Sequence, residues 1–302
     1  MSRFAPICAL ALVALLATGC GERSEPLGTI AQTYPVSVHG AGDRPTVLKQ
    51  RAERIVVLDP GPTETLMAIG VGPRLVGVPD GLAKGAAEGA DAVARRTGQI
   101  DVDAIVRLQP DLIVATSTID ELDLARAQRE SGAAVYVQPD NSVLNVEQGT
   151  IDLGFLTGEA ARARRLVAKI EVQVARVEDR MTEVAPVSVF VDTGFLITVP
   201  KRSLLGDLVR IAKGESIAGV SPGQGPFPVK DIVEANPDVY LATSDAGVTV
   251  ASLSEQDGLR TIKAVRKHRV EVVPAGLVTR PGARIGNGLM AVARALHPDA
   301  FR

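Results

Sequence analysis

Two kinds of apolar pattern alternate along residues 51–302. Ile55–Leu58, Leu75–Val78, Leu112–Val114, Ala134–Val137, Val187–Val191 and Val270–Val273 are short, mostly apolar runs rich in β-branched residues. Runs of that length read as strands buried in a sheet. Between them lie stretches with helical spacing. Thr63 is placed to cap a helix that buries Leu66, Met67 and Ile69 and ends at Gly70. Further helices are expected at Glu121–Ser131, Ser203–Lys213, Ser252–Val265 and Ile285–Leu296. Strand and helix alternate throughout, which predicts an α/β fold with mostly parallel sheets.

One phrase occurs twice. IVRLQPDLIVAT starts at Ile105 and IVEANPDVYLAT at Ile232, each a short helix, a Pro-Asp turn and a buried strand. The proline stops each helix, because the residue before it avoids α geometry. Two copies imply two α/β lobes. Between them, residues 158–185 carry Leu166, Ile170, Val174, Val177 and Met181 at spacings of four, four, three and four. That is one apolar stripe on a charged helix. At ~1.5 Å per residue the segment makes a stiff strut about 40 Å long. The resulting division is a lobe at 51–157, a helix at 158–185 and a lobe at 186–302.

Hydrophobic residues are 46% of the chain and charged residues 23%, as in a globular protein with a real core. A formal charge of −2 offers no basic face for nucleic acid. The first residues change the picture more. Arg3 precedes an apolar stretch from Ile7 to Ala17, too short to span a bilayer and laid out like a secretory signal. Ala17-Thr18-Gly19-Cys20 resembles a bacterial lipobox, which makes residues 1–20 a lipoprotein signal, Cys20 the lipidated residue and 21–50 a tether. Leucine usually stands three before that cysteine; here Leu16 stands four before it. The other cysteine, Cys8, falls within the signal, so no disulfide is expected.

Chemistry is sparse. His39, His268 and His297 are the three histidines, none set beside a nucleophile or second ligand, so no metal site or Ser-His-Asp arrangement is expected. Asp192-Thr193-Gly194 copies one aspartic protease triplet, but that chemistry needs two carboxylates, and the sequence reads as a turn. The Gly-rich 219–228 lacks a phosphate-loop pattern. The chain is expected not to be an enzyme and to need no cofactor.

The lipobox, RIVVLDPGPTETLMAIGVGPRLVGV, the two Pro-Asp phrases, AVRKHRVEVVP and TRPGARIGNGLMAVARALHP together resemble the extracytoplasmic substrate-binding proteins of ABC importers for cobalamin, haem and ferric siderophores. The resemblance covers residues 51–302. It implies two Rossmann-like lobes joined by one long helix and a ligand in the cleft, bound with little hinge motion. It also implies a monomer that delivers a metal chelate to an ABC permease with its ATPase, and a membrane link through the lipid. Aromatics that cobalamin binders carry in the first lobe are replaced here by Gly81 and Thr97. Because ligands sit beyond the carboxyl ends of parallel strands, the candidate contacts are Asp59, Thr63, Asp80 and Thr97 from the first lobe and Phe195, Arg202, Phe227 and Arg280 from the second. Arg202 and Arg280 suit carboxylate or phosphate; the phenylalanines offer flat apolar surface. The family docks through one acid per lobe, which implies Asp103 in the first. The matching position in the second is Lys230, with Asp231 beside it. A lipid-anchored sensor or scaffold, and a two-lobed sugar-nucleotide transferase, are the alternatives.

Overall fold

The computed structural model describes residues 32–42, 45–82, 87–95, 97–219, 222–223 and 225–302. The expected signal, Cys20 and the start of the tether lie outside the described residues. From Gln32 onward the segment read as tether is instead part of the folded unit. Strands β1 (Val36–Val38) and β2 (Thr46–Leu48) pair antiparallel and bury Val38 and Leu48, while the Tyr34 hydroxyl donates to the Phe155 carbonyl at 3.1 Å. A strand near Tyr34–Val38 is readable in the residues and is β1; its partner β2 is three residues long, too short among the glycines and prolines to stand out.

Strands β3 (Ile55–Val57), β4 (Leu75–Pro79), β5 (Asp91–Ala94), β6 (Leu112–Ala115) and β7 (Ala134–Val137) form the first sheet, all parallel, in the order β5-β4-β3-β6-β7. Helices α1 (Pro60–Ala68), α2 (Val102–Arg107) and α3 (Glu121–Ser131) follow its strands, and α4 (Val143–Thr157) leads out of it. The residues alternate between faces as strand geometry requires. Ile55, Val57, Leu112 and Val114 pack with Leu66, Ile69, Leu153 and Leu156. Val56 and Ile113 pack on the other side with Ile105, Leu124 and Ala127.

After α5 (Ala160–Met181), strands β8 (Val187–Asp192), β9 (Gly214–Ser216), β10 (Val239–Thr243) and β11 (Val270–Val273) build a second parallel sheet ordered β11-β10-β8-β9. It is flanked by α6 (Leu204–Ile211), α7 (Val229–Ala235), α8 (Val250–Ser254), α9 (Lys263–Arg266), α10 (Ala275–Val278) and α11 (Ile285–Leu296). The single helix expected over Ser252–Val265 is broken into α8, a 3-10 turn at Leu259–Thr261, and α9. Gly258 at φ 89° makes the break, a backbone region glycine enters without steric cost.

The strut is real but shorter than 158–185: 22 residues, about 33 Å at ~1.5 Å per residue. Its Ala163 lies in the first core, whereas Ile170, Val177 and Met181 lie in the second. Helix α4, which the sequence reading passed over, does the same with Leu153 and Leu156 in one core and Val143 and Val146 in the other. Two helices, not one, are therefore rooted in both lobes.

The repeated phrase now has a physical cause. Asp111 accepts the backbone N–H groups of Glu53 and Arg54, at 2.8 and 3.1 Å, just ahead of β3. Asp238 accepts the N–H and hydroxyl of Ser188 in β8, at 3.1 and 2.8 Å. Each Pro-Asp turn staples the amino end of its lobe's central strand. The residues before the prolines, Gln109 and Asn236, share a left-handed φ of 47° and 46°. The hydrogen bonds from Lys263 and Ser188 hold the Asp238 carboxyl at about 2, below its ordinary 3.8. A carboxylate with a depressed folded pKa stabilises above its unfolded pKa and loses that effect as pH falls through the folded one. Acid melting series should therefore show wild type losing stability between about pH 4 and pH 2. Asp238→Asn should melt lower at pH 7, by about 1 kcal/mol, with a flatter acid limb. An unaltered limb would refute the staple.

Candidate functional site

The carboxyl ends of the first sheet converge on the loop between α10 and α11 of the second lobe. There a hollow of about 300 Å³ is lined by Leu58, Asp59, Thr97, Thr116, Thr118 and Asp140 from the first lobe and by Thr279, Arg280 and Pro281 from the second. This is where parallel α/β sheets present ligand-binding loops. A larger hollow, about 700 Å³, lies elsewhere, within the first lobe between β5, α2 and α3. It takes in Asp80, Asp103 and Arg126, and Arg95 lines both hollows. The smaller one is the candidate site, because it alone of the two draws on both lobes.

Of the eight candidate contacts, the structure brings Asp59, Thr97 and Arg280 together in the cleft. Asp59 arrives with its oxygens engaged, Oδ2 accepting from the Thr116 N–H at 2.8 Å and Oδ1 from the Thr118 hydroxyl at 2.6 Å. It shapes the floor by tying the end of β3 to the end of β6. Thr63 is not a cap. Helix α1 begins earlier, with Pro60 at its first position, where proline's fixed φ and missing N–H suit the helix. Thr63 sits inside the helix, fully buried, its hydroxyl donating to the Asp59 carbonyl at 2.7 Å. Asp80 faces the neighbouring hollow.

In the second lobe, Phe227 turns inward against Phe190, ring centroids 5.6 Å apart, because its loop is pinned by the Phe227 N–H to the Leu196 carbonyl. Arg202 is exposed on the loop before α6. Phe195 is 89% exposed, at the tip of a turn in which it and Leu196 take φ values of 55° and 60°. Left-handed geometry at two consecutive non-glycine residues stores strain. The turn holds because Thr193 and Ile197 bond across it and the Asp192 carboxylate accepts the Gly194 N–H at 2.7 Å. Asp192 also accepts from the buried Tyr240 hydroxyl at 2.7 Å, and burial pushes that phenol up. Asp192 thus does at the end of β8 what Asp59 does at the end of β3.

The sequence reading missed how the cleft is closed below. Gln138 donates to the Pro281 carbonyl at 2.8 Å, and a Cβ on Gly282 would fall 2.4 Å from the Gly61 carbonyl oxygen. Glu64 meets Arg280 at 2.9 Å and Arg284 at 2.7 Å. The signals were present as Pro-Gly pairs in both segments and arginines four apart, but only proximity in the fold connects positions 61–64 with 280–284. Of the docking candidates, Asp103 stands in the first turn of α2, paired with Arg126 at 2.9 Å; Lys230 and Asp231 are exposed at the start of α7. Among the described residues, no group of three His, Cys, Asp or Glu side chains is placed to hold a metal ion, and no helix is long and apolar enough to cross a membrane.

Comparison with known proteins places the chain in a family and supports its fold. The chain is 25% identical, over 97% of its length and 97% of the relative's, to the uncharacterized ABC transporter substrate-binding lipoprotein YvrC of Bacillus subtilis. It is 26% identical to a cobalamin-binding protein of Halobacterium salinarum, over 88% of this chain and 75% of that one. Among solved structures, the periplasmic heme-binding protein RhuT of Roseiflexus sp. RS-1 superposes with a TM-score of 0.71 at 22% identity, covering 82% of this chain and 99% of that one; at that identity the match speaks to the fold. The family model of periplasmic binding proteins matches residues 55–276. With two parallel α/β lobes, helices rooted in both and a cleft at their carboxyl edges, the chain belongs to the periplasmic binding protein family.

Proposed function

We propose that the protein captures an intact metal chelate, an iron-siderophore, haem or corrinoid, in the interlobe cleft and delivers it to an ABC permease. The observation that carries this reading is the hollow lined from both lobes by Asp59, Thr97 and Arg280. Thr97 and Arg280 are the contacts offered to ligand from the lining of the hollow; Phe195 and Arg202 are exposed on second-lobe loops outside that lining. The function requires no bond making, so the groups needed are a shaped wall, hydrogen-bond donors and a cation. Titration calorimetry against ferric siderophores, haem and cobalamin tests it: micromolar or tighter binding of at least one is expected, and binding of none overturns the proposal.

In this reading residues 1–20 are a lipoprotein signal, Cys20 carries the lipid, and the anchored protein works outside the cytoplasm. Docking falls to Asp103 in the first lobe. The Asp103–Arg126 pair is exposed to solvent and so weak, and a permease arginine can displace Arg126 at small cost. Transport in reconstituted vesicles is expected to fall at least tenfold in Asp103→Arg with chelate affinity unchanged; unchanged transport removes the docking role. Lys230 favours one second reading, a lipid-anchored ligand sensor that meets no permease.

A further inference from the structure

The lobes meet below the cleft through one carboxylate and two guanidiniums. Glu64 extends from α1 of the first lobe; Arg280 and Arg284 flank the Pro281-Gly282 turn of the second. The Arg284 Nε bonds the Glu64 Oε2 at 2.9 Å while its Nη2 bonds Oε1 at 2.7 Å, and the Arg280 Nη1 also reaches Oε1, at 2.9 Å. A two-point guanidinium–carboxylate pair fixes direction as well as distance. Glu64 is only 17% exposed at its side chain, so the trio is screened less than a surface pair. It sits directly over the backbone contact of Gly61 with Pro281 and Gly282, which leaves no room for a Cβ.

The two arginines are not equivalent. Arg284 gives two donors to Glu64. Arg280 gives one and also lines the cleft, so a ligand there would meet a guanidinium that Glu64 already holds by one nitrogen. Within the trio one carboxylate serves two guanidiniums, while Asp59 and Asp140 balance Arg95 and Arg280 along the lining of the hollow.

From this arrangement we infer that Glu64 is a positioning residue: it clasps the lobes at a fixed separation and holds Arg280 at the cleft wall as an oriented donor for the anionic edge of a chelate. Arg284 is the permanent half of the clasp, and Arg280 the half that ligand shares. The placement of the donor rests on the reading of the cleft as the ligand site; the fixed separation does not.

The test measures lobe separation directly, without ligand. Spin labels on cysteines introduced at the exposed Leu122 and Lys267, one per lobe, report an interlobe distance distribution in the full chain, with the identically labelled unsubstituted chain as background. Wild type is expected to give one narrow distribution. Glu64→Gln should widen it about twofold at temperatures where circular dichroism shows the chain folded. Arg284→Gln should widen it more than Arg280→Gln. An unchanged width in Glu64→Gln overturns the clasp, as does an unchanged width in the Arg280→Gln/Arg284→Gln double variant should Glu64→Gln fail to fold. Because no ligand enters the measurement, a chain that binds no chelate still reports on the clasp.

Discussion

Gly282→Val is expected to lower stability by about 3 kcal/mol or more and to weaken chelate binding at least tenfold. A Cβ at position 282 would lie 2.4 Å from the Gly61 carbonyl oxygen and 2.9 Å from its carbonyl carbon and Cα, and one at position 61 would lie 2.8 Å from the Pro281 carbonyl oxygen. Every one of these contacts is with backbone, so no flexible side chain can swing aside. Relief comes only by moving α1 away from the Pro281-Gly282 turn, which means moving one lobe against the other. That motion would break the Gln138 bond to Pro281 and pull Arg280 from its place at the cleft wall. Chemical denaturation and calorimetric titration measure the two effects. Gly42→Val, where an added Cβ meets nothing within 4 Å beyond its chain neighbours, is the control and should cost little.

Asp192→Ala is expected to cost about 2–5 kcal/mol. Asp192 is 1% exposed and serves two donors, the Tyr240 hydroxyl and the Gly194 N–H. Removing it leaves both buried donors unpaired, which is more expensive than never having made the bonds. Tyr240→Phe keeps the Gly194 bond but leaves the Asp192 Oδ2 without its donor, and should cost about 1.5–3 kcal/mol. The double variant Asp192→Ala/Tyr240→Phe should recover part of the loss, since Gly194 alone then lacks a partner. Additive losses would mean the hydroxyl and carboxylate do not act as a pair. The turn bearing Phe195 should loosen in Asp192→Ala, visible as faster proteolysis between Thr193 and Ile197.

Much of this architecture was legible in the residues because it rests on local and periodic signals. The strand at Val270–Val273 and the helices at Glu121–Ser131 and Ile285–Leu296 fall where apolar spacing and flanking turns set them. The Pro-Asp repeat marked two equivalent lobes before any contact was known, and its aspartates proved to be the staples of the central strands. Helix α4 escaped notice because its stripe serves two cores in turn, so Gly149, Asp152 and Gly154 interrupt the apolar pattern without breaking the helix. The cleft was only partly legible. The rule that ligands sit at carboxyl ends of strands found Asp59, Thr97 and Arg280, but it cannot tell a loop residue that faces the other lobe from one, like Phe227, that folds back on its own. Nor does sequence show that Asp59 arrives with both oxygens occupied. Such pairings join positions 57 to 220 residues apart, and no local pattern encodes them.

The most direct test of the account is to fill the cleft and leave the fold alone. Thr97 lines the hollow and is exposed, so a larger side chain there takes ligand space without entering a core. For whichever chelate binds the wild-type chain, calorimetric titration of Thr97→Trp is predicted to show at least a thirtyfold loss of affinity with an unchanged melting temperature. Wild-type affinity in Thr97→Trp would mean that the chelate binds somewhere other than between the lobes.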